Sequence, residues 1–159
     1  MQQLAGDVGD LKRVLANVKT RGVFGEVQLG SLMEQVFSPD QYVENAQVRL
    51  NSQERVEFAL KIPGRSGEGD VLLPIDAKFP IEDYSRIIEA VEKADAAGVE
   101  TAGAQLESRI KSCAKDIRDK YINPPTTTDI AVLFLPTEGL HAEVLRRPGL
   151  TESIQQAHH

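Results

Sequence analysis

The chain has 159 residues, 41% of them apolar and 26% charged, the size and balance of one soluble domain with a sizeable core. Its net charge of −6 excludes a general affinity for nucleic acid, so any such contact needs a local basic stripe. No apolar run is long enough to cross a membrane and no leader peptide opens the chain, so a cytoplasmic setting without membrane contact is expected of this fragment.

Leu4, Val8, Leu11, Leu15 and Val18 recur at alternating spacings of four and three, which is a heptad seam. The spacing predicts a helix over 1–19. It is either the end of a coiled coil, which would support self-association, or an amphipathic helix packed on its own domain. Gly22 and Gly25 are expected to break it within Thr20–Gly25. A second helix follows in GEVQLGSLMEQVF, with Leu29, Leu32, Met33, Val36 and Phe37 on its buried side. Glu26 lies in its first turn and points toward the edge of the core. An acid there serves the helix dipole, or reaches a metal held by a neighbouring sheet. Gly30, one turn on, leaves room for a strand to approach.

Ser38-Pro39-Asp40 ends this helix, and Tyr42–Val48 reads as a strand with Tyr42, Ala46 and Val48 on one face. Arg55–Phe79 reads as two strands joined by a Gly-rich turn. Glu57 is on the first, and the second ends in Asp76-Ala77-Lys78. Alternation puts Asp76 and Lys78 on the same face. A carboxylate and an ammonium two residues apart, facing another acid on an otherwise apolar strand, is the layout of a metal-dependent phosphodiesterase site. The alternative is an ion pair on the solvated face of a hairpin.

Pro80 suits a helix start. Ile81, Tyr84, Ile88 and Val91 line a helix expected to run to about Ala97, where Gly98 would stop it. A further helix, Gln105–Tyr121, buries Leu106, Ile110, Cys113 and Ile117. The single cysteine, Cys113, cannot form an internal disulfide and is assigned to packing. Lys111, Lys115 and Arg118 form a basic stripe on the outer side, either a solvated face or a nucleic-acid contact. After the rigid turn at Asn123-Pro124-Pro125, the apolar run DIAVLFL (Asp129–Leu135) predicts a strand in the middle of a sheet covered on both faces. Thr137 is a candidate N-cap for a helix through Leu140, Val144 and Leu145, and a short helix closes the chain. His141 stands alone and His158 and His159 end the chain, which argues against zinc. The order is helix, three strands, helices, strand, helix: an α/β sandwich with a mixed sheet.

That order, with an acid on the first long helix and an acid plus D-x-K on adjacent strands, resembles the PD-(D/E)xK nuclease superfamily. TRGVFGEVQLGSLMEQVF, VEFALKIPG…LLPIDAKFPIEDYSRII and YINPPTTTDIAVLFLPTEGLHAEVL are similar to the RmuC family. The resemblance spans about Thr20 to Leu145. It implies a restriction-endonuclease-like mixed sheet flanked by helices, in DNA recombination proteins that limit inversion between short inverted repeats. It also implies a preceding coiled coil and membrane-proximal helix, compatible with anchoring of the full-length protein at the inner membrane. Residue by residue, the superfamily's helix acid falls on Glu26, its strand acids on Glu57 and Asp76, and its lysine on Lys78, with the Ala77 carbonyl as a further metal ligand. The family commonly has Pro-Asp where this chain has Val56-Glu57. Its pattern also continues beyond this C-terminus, so 20–159 reads as a C-terminally truncated nuclease-like domain.

Oxygen-only ligands select a hard cation, Mg²⁺ or Mn²⁺. In that reading Glu26, Glu57 and Asp76 hold the cation, Lys78 orients the attacking water, and DNA is the partner. The alternatives are a non-catalytic DNA-binding or assembly scaffold that retains the nuclease fold, and a structural domain that oligomerises through its N-terminal helix.

Overall fold

The computed structural model describes residues 18–156, and the side chains of 24–154. Helix α1 (Val18–Val36) is followed by strands β1 (Tyr42–Ala46), β2 (Val56–Ile62) and β3 (Val71–Ala77). Helices α2 (Ile81–Glu92) and α3 (Ala96–Tyr121) come next, then β4 (Val132–Phe134), α4 (Glu138–Arg146) and α5 (Leu150–Gln156). The sheet has the order β1-β2-β3-β4. The first three strands are antiparallel and β4 is parallel to β3. This is a mixed α/β fold, as the order of elements predicts.

Each face of the sheet carries its own core. On one side, Leu29 and Met33 of α1 pack on Tyr42, Phe58 and Ile75. On the other, Ile117 and Tyr121 of α3 pack with Ala46, Val48, Val56 and Ala59. A third cluster joins Ile87, Leu106, Ile110, Leu140, Val144 and Leu150 and ties the helices to one another. α3 therefore serves two cores, its C-terminal half against the sheet and its middle against α2, α4 and α5.

Four local expectations are corrected. α1 runs unbroken from Val18 through Gly22 and Gly25. Glycine costs roughly 1 kcal/mol in a helix, but Gly25 is buried where α1 meets the sheet. A Cβ there would lie 3.4 Å from Pro136 and 3.6 Å from Ala77. These are ordinary contact distances, so the packing of α1 on the sheet through Leu29 and Met33, rather than a steric need for glycine, outweighs propensity. The heptad residues before Val18 lie outside the described residues.

Gly98 does not stop a helix. It sits in the first turn of α3, where Asp95 caps by accepting its N–H at 3.0 Å. α2 and α3 are instead separated at Ala94, whose φ is 51°.

β4 is three residues long and lies at the edge of the sheet, not its middle. The run is only partly covered: Leu133 packs against two clusters and Phe134 against the third, while Ile130 and Val132 are exposed.

Tyr42 and Ala46 do not share a core. Asn45 between them adopts a left-handed φ of 49°. The ribbon turns there, sending Tyr42 to the α1 side and Ala46 with Val48 to the α3 side.

Candidate active site

The end of β3 where Asp76 and Lys78 sit is flanked on one side by β2 and on the other by β4. Register places Phe58 opposite Ile75, so Glu57 falls beside Asp76. Glu57 Oε2 accepts the Ala77 N–H at 3.0 Å. Lys78 lies just past the strand, yet its N–H still donates to the Phe134 carbonyl at 3.1 Å, which holds its backbone in line. Its Nζ is 3.2 Å from Asp76 Oδ2. Strand alternation thus puts the acid and the lysine on one face.

Asp76 is 3% exposed. Its Oδ2 makes no hydrogen bond. The Lys78 ammonium, 3.2 Å away, pairs with it by charge. Burial pushes the Asp76 carboxyl up, and the Lys78 charge opposes that rise. Lys78 is pulled down by its own burial, but the close Asp76 carboxylate wins and raises it. Glu57 is pushed up to about 7, first by burial, against the stabilising Ala77 amide, and further by the charges of Asp76 and Glu26.

A cleft of about 490 Å³ opens on this end of the sheet. Its walls include Glu26, Glu57, Ala77, Lys78, Asp83 and Arg109. Glu26 enters from the middle of α1, so the helix-dipole role expected of a first-turn acid does not apply to it. It is solvent-exposed and close enough for its charge to raise both Glu57 and Asp76. Gly25, the residue before it, faces Ala77 and Pro136 with room for a methyl group. Gly30, expected to give close approach, has Phe58 over it, with room for a methyl group. Glu26, Glu57 and Lys78 thus line one cleft, and Asp76 is buried beside it, paired with Lys78.

Lys111, Lys115 and Arg118 are not part of it. Lys111 and Lys115 each lie two residues from Cys113, which lines the cleft, and so roughly 200° around α3 from it. Lys111 pairs with Glu107 at 3.3 Å and Arg118 with Asp119 at 3.2 Å. The cations on the site side are others. Arg109 lines the cleft, and Lys120 acts on Asp76 through its charge. Sequence reasoning missed Arg109, Asp83 and Lys120, and treated Cys113 as packing alone. The signal in the sequence was that Arg109 and Cys113 are four apart, hence on one helix face.

Among the described residues, no three His, Cys, Asp or Glu side chains stand together as a ready metal-binding group. The donors that do face each other are all oxygens, and one of them, Asp76 Oδ2, is buried with lone pairs to spare. That chemistry suits a hard cation. The Ala77 amide is already committed to Glu57, and its residue lines the cleft.

The fold and site define a mixed-sheet α/β domain with adjacent carboxylates and a lysine at the end of its central strands. The sequence pattern of the RmuC family matches residues 1–158, and the chain belongs to that family. It is 55% identical over 157 residues to proteins from two strains of Xylella fastidiosa, Temecula1 and 9a5c, each described as a DNA recombination protein RmuC homolog. The match takes in 98% of this chain and 34% of each relative, so the chain spans about a third of the length of these curated relatives. No solved structure matches it.

Proposed function

We propose that this domain is the DNA-acting, nuclease-like unit of a recombination protein, hydrolysing phosphodiester bonds with Mg²⁺ or Mn²⁺ and so limiting inversion at short inverted repeats. The observation that carries this reading is the buried Asp76 Oδ2, 3.2 Å from Lys78, which together with Glu57 lines an open cleft. Asp76, Glu57 and Glu26 would hold the cation, together with the Ala77 carbonyl. The bound cation would lower the pKa of its water and polarise a phosphate oxygen. Lys78 would orient the water and offset phosphate charge. The description of the Xylella relatives as DNA recombination proteins supports DNA as the partner.

Calorimetric titration with Mn²⁺ and cleavage assays on duplex, hairpin and single-stranded DNA test the proposal. Binding heat and cleavage that disappear together in Asp76→Asn support it. No heat and no cleavage would leave a DNA-binding scaffold. One observation favours that second reading. Asp76 is already paired with Lys78 and Glu57 with the Ala77 amide, so both acids have an internal structural role.

A further inference from the structure

We propose that the cleft between α2 and α3 is a phosphate subsite, in which Arg86 and Arg109 hold one phosphodiester of a DNA strand beside the carboxylate cleft. The inference rests on the DNA reading above and adds where the backbone is gripped.

The cleft is about 420 Å³ and is lined by Asp83, Arg86, Gln105, Ser108, Arg109 and Ser112. Asp83 is 5% exposed and grips both arginines, Arg86 Nη1 at 3.4 Å and Arg109 Nε at 3.3 Å. Arg86 is held further by Gln105 Oε1 at 3.4 Å. The buried acid fixes the two guanidinium groups before any ligand arrives, which reduces the ordering cost of binding. Arg109 spends only Nε on Asp83, and its two terminal amino groups make no bond among the described residues. Neither the Ser108 nor the Ser112 hydroxyl is bonded among the described residues. The surface thus offers guanidinium and hydroxyl donors, and its one carboxylate is turned inward. Guanidinium forks with hydroxyls match phosphate oxygens.

The position argues for a strand rather than a free anion. Arg109 and Asp83 line both this cleft and the carboxylate cleft, so the two are continuous. The carboxylate cleft also bears Glu26, Glu57 and Glu82, on a chain of net charge −6. A polyanion is repelled there unless a cationic anchor stands next to it. Arg86 and Arg109 supply that anchor on the side of α3 turned toward α2.

The test is DNA binding by fluorescence anisotropy in EDTA over a series of KCl concentrations, where cleavage plays no part. Ser112 is exposed on α3, so charge can be changed there without disturbing Asp83. Ser112→Glu should weaken binding about tenfold and Ser112→Lys should tighten it, with unchanged thermal unfolding. Arg109→Gln should lower the salt slope by about 0.9, for the one phosphate it no longer neutralises. Wild-type binding that none of the three variants alters would overturn the subsite and leave the DNA reading intact. Absence of salt-dependent DNA binding by the wild type would remove both. Arg86 and Arg109 Nε–H resonances that shift with orthophosphate but not with DNA would assign the cleft to a free anion and overturn the proposal.

Discussion

Glu57 Oε2 accepts the backbone N–H of Ala77 at 3.0 Å, so the acid of β2 is moored to the strand that carries Asp76 and Lys78. The two methylenes of the glutamate side chain give the reach for this bond. Glu57→Asp should lose it, at roughly 1 kcal/mol, and should bind Mn²⁺ less tightly than the wild type. Tighter Mn²⁺ binding by the aspartate variant, measured by calorimetry, would mean the longer side chain is a drifted remnant.

The same residue sets a pH dependence. The Glu57 carboxyl stands at about 7 in the fold against 4.5 when unperturbed. The folded state therefore holds the proton more tightly than the unfolded chain. Stability from this group is full below pH 4.5 and is lost as pH rises through about 7. Glu57 is only partly buried, so after solvent screening the loss is on the order of 1 kcal/mol. Urea unfolding of wild type and Glu57→Gln across that range, in EDTA, should show the decline in the wild type and a flatter profile in the variant.

Asp76→Asn keeps shape and removes the charge that holds a hard cation. It should abolish Mn²⁺ binding heat and metal-dependent cleavage while circular dichroism stays native. Lys78→Ala should retain metal binding and cut poorly. It also leaves Asp76 buried without its ionic partner, at a stability cost of about 1–3 kcal/mol. Undiminished cleavage by Asp76→Asn would place the chemistry elsewhere.

Gly25 offers a steric test of the approach of α1 to β3. A methyl group would meet Pro136 and Ala77 at 3.4 Å and 3.6 Å, ordinary contact distances. Gly25→Ala should therefore be neutral, or stabilising by up to about 1 kcal/mol through helix propensity. Gly25→Leu should push the helix outward, cost about 1–3 kcal/mol and displace Glu26 from the cleft. Thermal unfolding reads the first effect and Mn²⁺ titration the second.

The basic stripe of α3 gives a negative control. Lys111, Lys115 and Arg118 do not line the carboxylate cleft. Their triple alanine variant should bind DNA with nearly the wild-type salt slope, since each phosphate left unneutralised would lower it by about 0.9. A fall of about one unit or more would put the DNA on the outer face of the helix.

What the sequence disclosed and what it concealed divide by range. Asp76 and Lys78 were legible because alternation along a strand is local. Glu57 was legible because a hairpin fixes its register. Asp83, Arg86 and Arg109 were not, because their meeting depends on how α2 lies against α3. Arg109 looks like any exposed helical arginine until that packing brings it to a buried acid. The length of α1 was misread for a related reason. Gly22 and Gly25 read locally as breakers, yet one helix runs through both because Leu29 and Met33 further along it are anchored on the sheet. The apolar run at β4 overstated both its burial and its position: it is an edge strand with Ile130 and Val132 exposed, and only Leu133 and Phe134 pack inward.

The parallel pairing of β3 with β4 sets Asp76 against Leu133, a partner more than fifty residues downstream. Between them the chain makes the whole excursion through α2 and α3. The β1-β2-β3 meander closes through short connections and can form while that excursion is still unstructured, whereas the pairing with β4 must wait for a much larger loop to close. Asp76 is therefore paired on one side by a near neighbour in the chain and on the other by a distant one, and burial is the first cause of its raised carboxyl. The acidity of that one side chain is thus a reporter of whether the far strand has docked.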